Sequence, residues 1–177
     1  MAKVIFQDNF LLMGTNYHEK EANKVMAEIG KKSPYWDKDK DFISDYIKSN
    51  FKDIYKYYRV STKDVEIVRE PLNRHDPNAI KVMVNKTFVG YFPADLAKRL
   101  TPYVKKSSHY QMEATLTGRG GQYKTLKNDL KTVVTKKKDI TYKLRLTILK
   151  VDRVSKSKNA GLLESILTEN EVKNKCG

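Results

Sequence analysis

Cysteine, histidine and long apolar runs are scarce in this chain, and each scarcity removes a class of function. The one cysteine, Cys176, is next to last of 177 residues, which excludes a disulfide framework and a cysteine-based zinc site. His18, His75 and His109 are the only histidines, and they do not fall at metal-ligand spacing. Glu66, Glu70 and Asp76 are too few and too oddly placed to form the carboxylate cluster of a divalent-metal nuclease, and no Ser-His-Asp set can be assembled. The stretch GRGGQYK at residues 118–124 lacks the G-x-x-x-x-G-K-[ST] order of a P-loop. No apolar run approaches the length of a membrane span, and the first residues lack the n-region and h-region of a signal peptide. The expectation is a cytoplasmic protein without catalytic activity, cofactor, metal or membrane contact.

Positive charge, by contrast, is abundant and concentrated. The net charge is +14, and residues 98–158 hold 17 Lys or Arg against 4 Asp or Glu, a net of +13. Nearly all of the positive field therefore belongs to the second half of the chain, and its natural partner is a polyanion. The competing reading is a lysine-rich surface that only keeps the protein soluble. An apolar content of 40% and 11 tyrosines suit a small globule. The length suits one domain with a sizeable core.

Periodicity predicts the elements. Residues 4–6 and 10–13 read as two strands, or as one strand with a bend. Residues 18–29 read as a helix with Ala22, Val25, Met26 and Ile29 on one face, stopped by Gly30. Residues 37–51 read as a second helix with Phe42, Ile43, Tyr46 and Ile47 inward, and residues 54–60 as a tyrosine-rich strand. Val65 and Ile67, then Ile80, Val82 and Val84, alternate with polar partners as half-buried strands do. A third strand ends at Pro93, before a short helix over 94–100. Strands follow at 109–117, 130–135 and 140–151, with loops expected at 118–124 and at Lys136-Lys137-Lys138. So many strands suit a barrel. A Ser/Lys linker (155–160) and one short amphipathic helix (162–172) complete the chain.

Between the strands of the middle region lies Glu70-Pro71-Leu72-Asn73-Arg74-His75-Asp76-Pro77-Asn78-Ala79. Two prolines fix φ, while Asn73, Asp76 and Asn78 can bond nearby backbone N–H groups, so the loop should hold a defined shape. A loop that spends so many residues on rigidity usually presents something. The order E-P-x-N-x-x-D-x-N-A-I-x-V, followed by V-G-Y and a short helix, resembles the HIRAN domain, and residues 11–17 (LLMGTNY) look like that family's first strand, glycine and aromatic. The resemblance implies an α+β, mainly β fold: an OB-like or SH3-like barrel over residues 1–153, with a helical insert at about 18–52 and a linker and tail at 154–177. That insert looks more like free-standing bacterial and phage forms of the family.

The resemblance also implies an activity, recognition of the free 3′-hydroxyl end of single-stranded DNA. Asp76 occupies the position of the family's hydroxyl-contacting aspartate. An ionised carboxylate is the natural acceptor for a sugar hydroxyl and repels a 3′-phosphate. The competing role for Asp76 is to cap the loop. Asn73 either orients the sugar or braces the loop. Tyr17, His18 and His75 stand where the family carries pocket aromatics, which stack on splayed bases. Asn16 and Ala94 stand where it has an arginine and a lysine, so two cationic contacts are missing. Tyr91, in V-G-Y, faces either the pocket or the core. Arg119, Tyr123 and Lys124 offer charge and an aromatic ring to replace those losses. The alternative function is a phage-encoded interaction or inhibitor module on a DNA-processing or defence nucleoprotein, such as a CRISPR-Cas nuclease.

Overall fold

The computed structural model describes residues 3–106 and 109–151. Strand β1 (Lys3–Leu11) is a single strand with a bulge between Val4 and Phe6. A 3-10 turn (Thr15–Tyr17) leads into helix α1 (Glu19–Ile29), and short β2 (Lys31–Lys32) precedes α2 (Lys40–Asn50). The Asp39 side chain caps α2 by accepting from the Phe42 N–H, which fixes its start. The tyrosine-rich stretch is broken into β3 (Ile54–Tyr55) and β4 (Tyr57–Tyr58), which pair with different strands, and Arg59 then turns the chain at φ 50° before β5 (Ser61–Thr62).

Strands β6 (Glu66–Arg69), β7 (Ile80–Val84) and β8 (Thr87–Tyr91) form an antiparallel meander. Its β7–β8 turn places Asn85 and Lys86 at positive φ, as a tight hairpin turn requires. Helix α3 (Ala94–Lys105) runs five residues beyond the expected end and carries Pro102 inside it. The extension is held by Tyr103 and Val104, which pack on the core and outweigh the hydrogen bond lost at proline.

The last two strands depart most from expectation. Strand β9 (Tyr110–Leu126) passes straight through the glycine stretch, and β10 (Val133–Lys150) passes through the lysine triplet. Lys136, Lys137 and Lys138 pair with Tyr123, Gln122 and Gly121, so neither segment is a hairpin tip. The tip is residues 127–132, where Asp129 accepts from the Lys131 and Thr132 N–H groups and Leu130 sits exposed at φ 54°. The glycines lie opposite a bulge instead of in a loop: Asp139 and Ile140 of β10 face Gly120, which has φ +97°, and a Cβ there would lie 2.1 Å from the Asp139 carbonyl oxygen.

The strands make a larger sheet ordered β1-β10-β9-β3, with β5 also on β9, and the β6-β7-β8 sheet. The two share one apolar core, in which Ile80, Val82 and Val89 meet Leu116, Tyr142, Leu144 and Leu146. They touch at a corner where Met13 and Tyr91 exchange backbone hydrogen bonds of 2.8 and 2.9 Å. Gly90 makes this approach feasible, since a Cβ there would lie 2.9 Å from Leu12 Cβ and from the Met13 carbonyl oxygen. Elsewhere among the described residues the two sheets are not joined by a strand ladder, so the mainly β fold is an incompletely hydrogen-bonded barrel. Helix α1 belongs to this core through Ala22, Val25 and Met26, and the buried Tyr142 hydroxyl donates to the Ala22 carbonyl at 2.7 Å. Helix α2 builds a smaller core on the far part of the hairpin, with Ile43 and Ile47 against Ile54. The linker, the short helix over 162–172 and Cys176 lie outside the described residues.

Candidate nucleic-acid interface

The loop between β6 and β7 is braced from within. Its neck closes through the Glu70 N–H to the Ala79 carbonyl at 2.9 Å. The Asn73 side-chain oxygen accepts from the N–H groups of His75 (3.0 Å) and Asp76 (3.2 Å). Asp76 Oδ1 accepts from the Asn78 N–H at 2.8 Å, an Asx turn of the kind this sequence favours. Bracing is thus a role that both Asn73 and Asp76 perform. Among the described residues no donor reaches Asp76 Oδ2, so half of that carboxylate is left as an acceptor.

Sequence reasoning missed the residue that anchors this loop to the sheet. Glu70 accepts hydrogen bonds from Asn73 Nδ2 (2.7 Å) and the Tyr91 hydroxyl (2.9 Å), and Lys81 Nζ lies 3.4 Å from its other oxygen. Those bonds, led by the one from Asn73, hold the Glu70 carboxyl below the usual glutamate range. Burial, helped by the Glu70 charge, pushes the Tyr91 hydroxyl above the usual tyrosine value. Tyr91 is half-buried and is committed to the loop through its hydroxyl, so it faces neither open solvent nor the deep core. The available signal was the glutamate opening the E-P-x-N motif, but its partners Lys81 and Tyr91 lie far along the chain.

A row of rings leads away from Tyr91. Its ring centroid lies 4.9 Å from that of Phe88, and Phe88 meets the His18 ring edge-on at 4.6 Å. Phe88, the second unforeseen member, thus connects the start of α1 to the loop. The 3-10 turn before α1 is pinned by Thr15, whose hydroxyl donates to the Val89 carbonyl at 3.0 Å. Pinning Thr15 inward leaves Asn16 and Tyr17 outside, and Tyr17 is 85% exposed. Such an exposed ring on a fixed turn is free to stack on a base. His75 and Arg74 are also exposed on the loop.

Arg119, Tyr123 and Lys124 do not join this cluster. They lie along β9, where the Tyr123 ring stacks on Tyr55 at 5.3 Å and Lys124 Nζ donates to the Trp36 carbonyl at 2.6 Å. Arg119 is exposed on a separate groove against Met26, well along α1. From His18 to Met26 is roughly 12 Å of helix axis. Ala94 opens α3, directly after Pro93. Among the described residues no group of three or more His, Cys, Asp or Glu is placed to hold a metal, and no helix is long and apolar enough to cross a membrane.

This arrangement defines a class, a β-rich binding domain whose presented element is a braced polar loop flanked by aromatic rings. The family model of the HIRAN domain matches residues 9–137, well over half of the chain, and the protein belongs to the HIRAN domain family. HIRAN domains are known as DNA-binding modules, and membership supports nucleic-acid binding by this chain. Among solved structures, the crystal structure of the HIRAN domain of human HLTF is similar at 14% identity, over 82% of this chain and 78% of that chain, with a TM-score of 0.37. A search of curated proteins finds no match.

Proposed function

We propose that the loop of residues 70–79 receives the 3′-hydroxyl end of single-stranded DNA, and that the described domain acts by binding without catalysis. The observation that carries this reading is the half-used Asp76 carboxylate. Asn73 and Asn78 hold the backbone around it, while Oδ2 keeps its capacity to accept a hydroxyl proton. A terminal 3′-hydroxyl would donate to that oxygen, whereas a terminal phosphate would bring a second negative charge against it. Tyr17, on the pinned turn, supplies a face for the last bases, and His75 and His18 supply smaller ones. Asn16 gives a neutral polar contact to the sugar-phosphate backbone. Arg74 on the loop supplies positive charge beside the end.

The test is fluorescence anisotropy with a short labelled single strand carrying a 3′-hydroxyl, beside the same strand ending in 3′-phosphate. The expected result is tighter binding of the hydroxyl strand, with the preference lost in Asp76→Ala. Tyr17→Ala should weaken both strands by about 1–3 kcal/mol, the worth of one stacked base. Equal affinity for both ends in the unsubstituted protein would reduce the reading to charge-driven binding.

A further inference from the structure

Near Met26, well along α1 from His18, β3 and β5 pair with opposite parts of β9. Tyr55 pairs with Tyr123, and Ser61 with Thr117. Between them the chain leaves β9, since Tyr57 and Tyr58 pair with Lys32 and Lys31 of β2 instead. On that side the ladder is interrupted between Gly118, whose N–H reaches the Val60 carbonyl, and Gln122, whose carbonyl accepts from Lys56. The departure opens a groove of about 910 Å³. Buried Met26 and Val60 line it together with Tyr55, Tyr57 and Tyr58.

The charge around this groove is one-sided. Arg59, Arg119 and Lys138 line it and are all exposed, against a single carboxylate, Asp139. None of the three cations has an ion-pair partner among the described residues. Arg59 lies over the Tyr58 ring, 5.8 Å from its centroid, and Tyr58 remains 39% exposed. Flat rings set among unpaired guanidinium and ammonium groups match a single strand of nucleic acid, where bases need stacking surfaces and phosphates need cations. An apolar peptide would leave the cations unanswered. An acidic peptide would answer them but would make little use of the rings.

We propose that this groove is a second nucleic-acid site, one that takes the interior of a single strand and is indifferent to its ends. Tyr58 stacks on a base, while Arg119, Arg59 and Lys138 hold the flanking phosphates. This site is independent of end recognition at Asp76.

A circularised single strand, which has no terminus, isolates it. Binding of a short labelled circle is measured for the full chain and for Tyr58→Ala, Arg119→Ala and Asp76→Ala, each checked for an unchanged thermal transition. The expected result is measurable binding that weakens about 5- to 100-fold in Tyr58→Ala, the range of one lost base stack. In Arg119→Ala the slope of log K against log salt should become shallower by about 0.7. Asp76→Ala should leave the circle's affinity unchanged.

Because Tyr58 packs beside Arg59, Tyr58→Phe serves as the conservative control and should retain affinity. Absence of binding to the circle, or affinity untouched by both groove substitutions, would overturn the proposal. Displacement of the circle by an acidic peptide at equal charge concentration would overturn it in favour of a protein ligand. Loss of circle binding in Asp76→Ala would show one site rather than two. Hydroxyl preference on linear strands is scored separately, so failure of either site is visible without the other.

Discussion

Glu70 shows how one carboxylate can set the shape of a loop. Its oxygens collect Asn73, Tyr91 and Lys81, so the loop, β8 and β7 meet at a single charge. The depressed Glu70 pKa means that its contribution is fully present above the ordinary glutamate value and is lost as pH falls through the folded value. Acidification should therefore loosen the loop, and Glu70→Gln should flatten the acid limb of a stability-against-pH curve. Tyr91→Phe should cost about 1 kcal/mol in chemical denaturation, the usual net worth of such a hydrogen bond. Asn73 and Asp76 were legible because Asx turns are local, closing within three residues. Glu70 was not, because Tyr91 stands 21 residues away and only the sheet register brings the two together. Tyr17 was singled out only by its place in the family resemblance, and its exposure depended on Thr15 being tied to Val89.

At the level of elements, alternation located the strands and misjudged the long hairpin. Three glycines within four residues read as a loop, since glycine is the usual residue of turns. Here Gly120 and Gly121 adopt positive φ opposite a bulge in β10 between Lys138 and Thr141, and the strand continues on both sides. The lysine triplet was misjudged for a related reason: charged residues on the outer face of a paired strand look like a solvated tip. Gly120→Ala should therefore destabilise the whole domain, by about 2 kcal/mol or more, because it combines a strained φ with a clash against the Asp139 carbonyl. Thermal unfolding measures this, and substitution of a mobile loop glycine would shift the midpoint little. Helices α1 and α2 were legible from their apolar faces, with Phe42 left exposed at the edge of the second. Nothing local announced that α1 completes the main core while α2 builds a separate one.

Across the whole molecule, the positive charge read from the sequence is not shared evenly by the two surfaces described. The loop of residues 70–79 carries only Arg74, whereas the groove beside β9 carries Arg59, Arg119 and Lys138. Contact with about five phosphates would give a log K against log salt slope near −3.5 for a single strand. A slope near zero with tight binding would point to a ligand other than nucleic acid. Composition alone could count these charges but could not divide them, because the division follows from how β4 swings away from β9.

The strand order β1-β10-β9 carries one more consequence, for the way the chain acquires its structure. Strand β10 is the last of the described strands, yet it is the shared neighbour of β1 and β9. Residues near the start, such as Phe10, find their partner only in Leu144. Pairing across so much chain is slow, because the entropy of closing the loop is lost before contacts repay it. On a ribosome, β1 would emerge unpaired and wait for β10, while β9 can already meet β3 and β5. The β6-β7-β8 meander needs only local turns and can form earlier, so maturation of the domain is gated by its final strand.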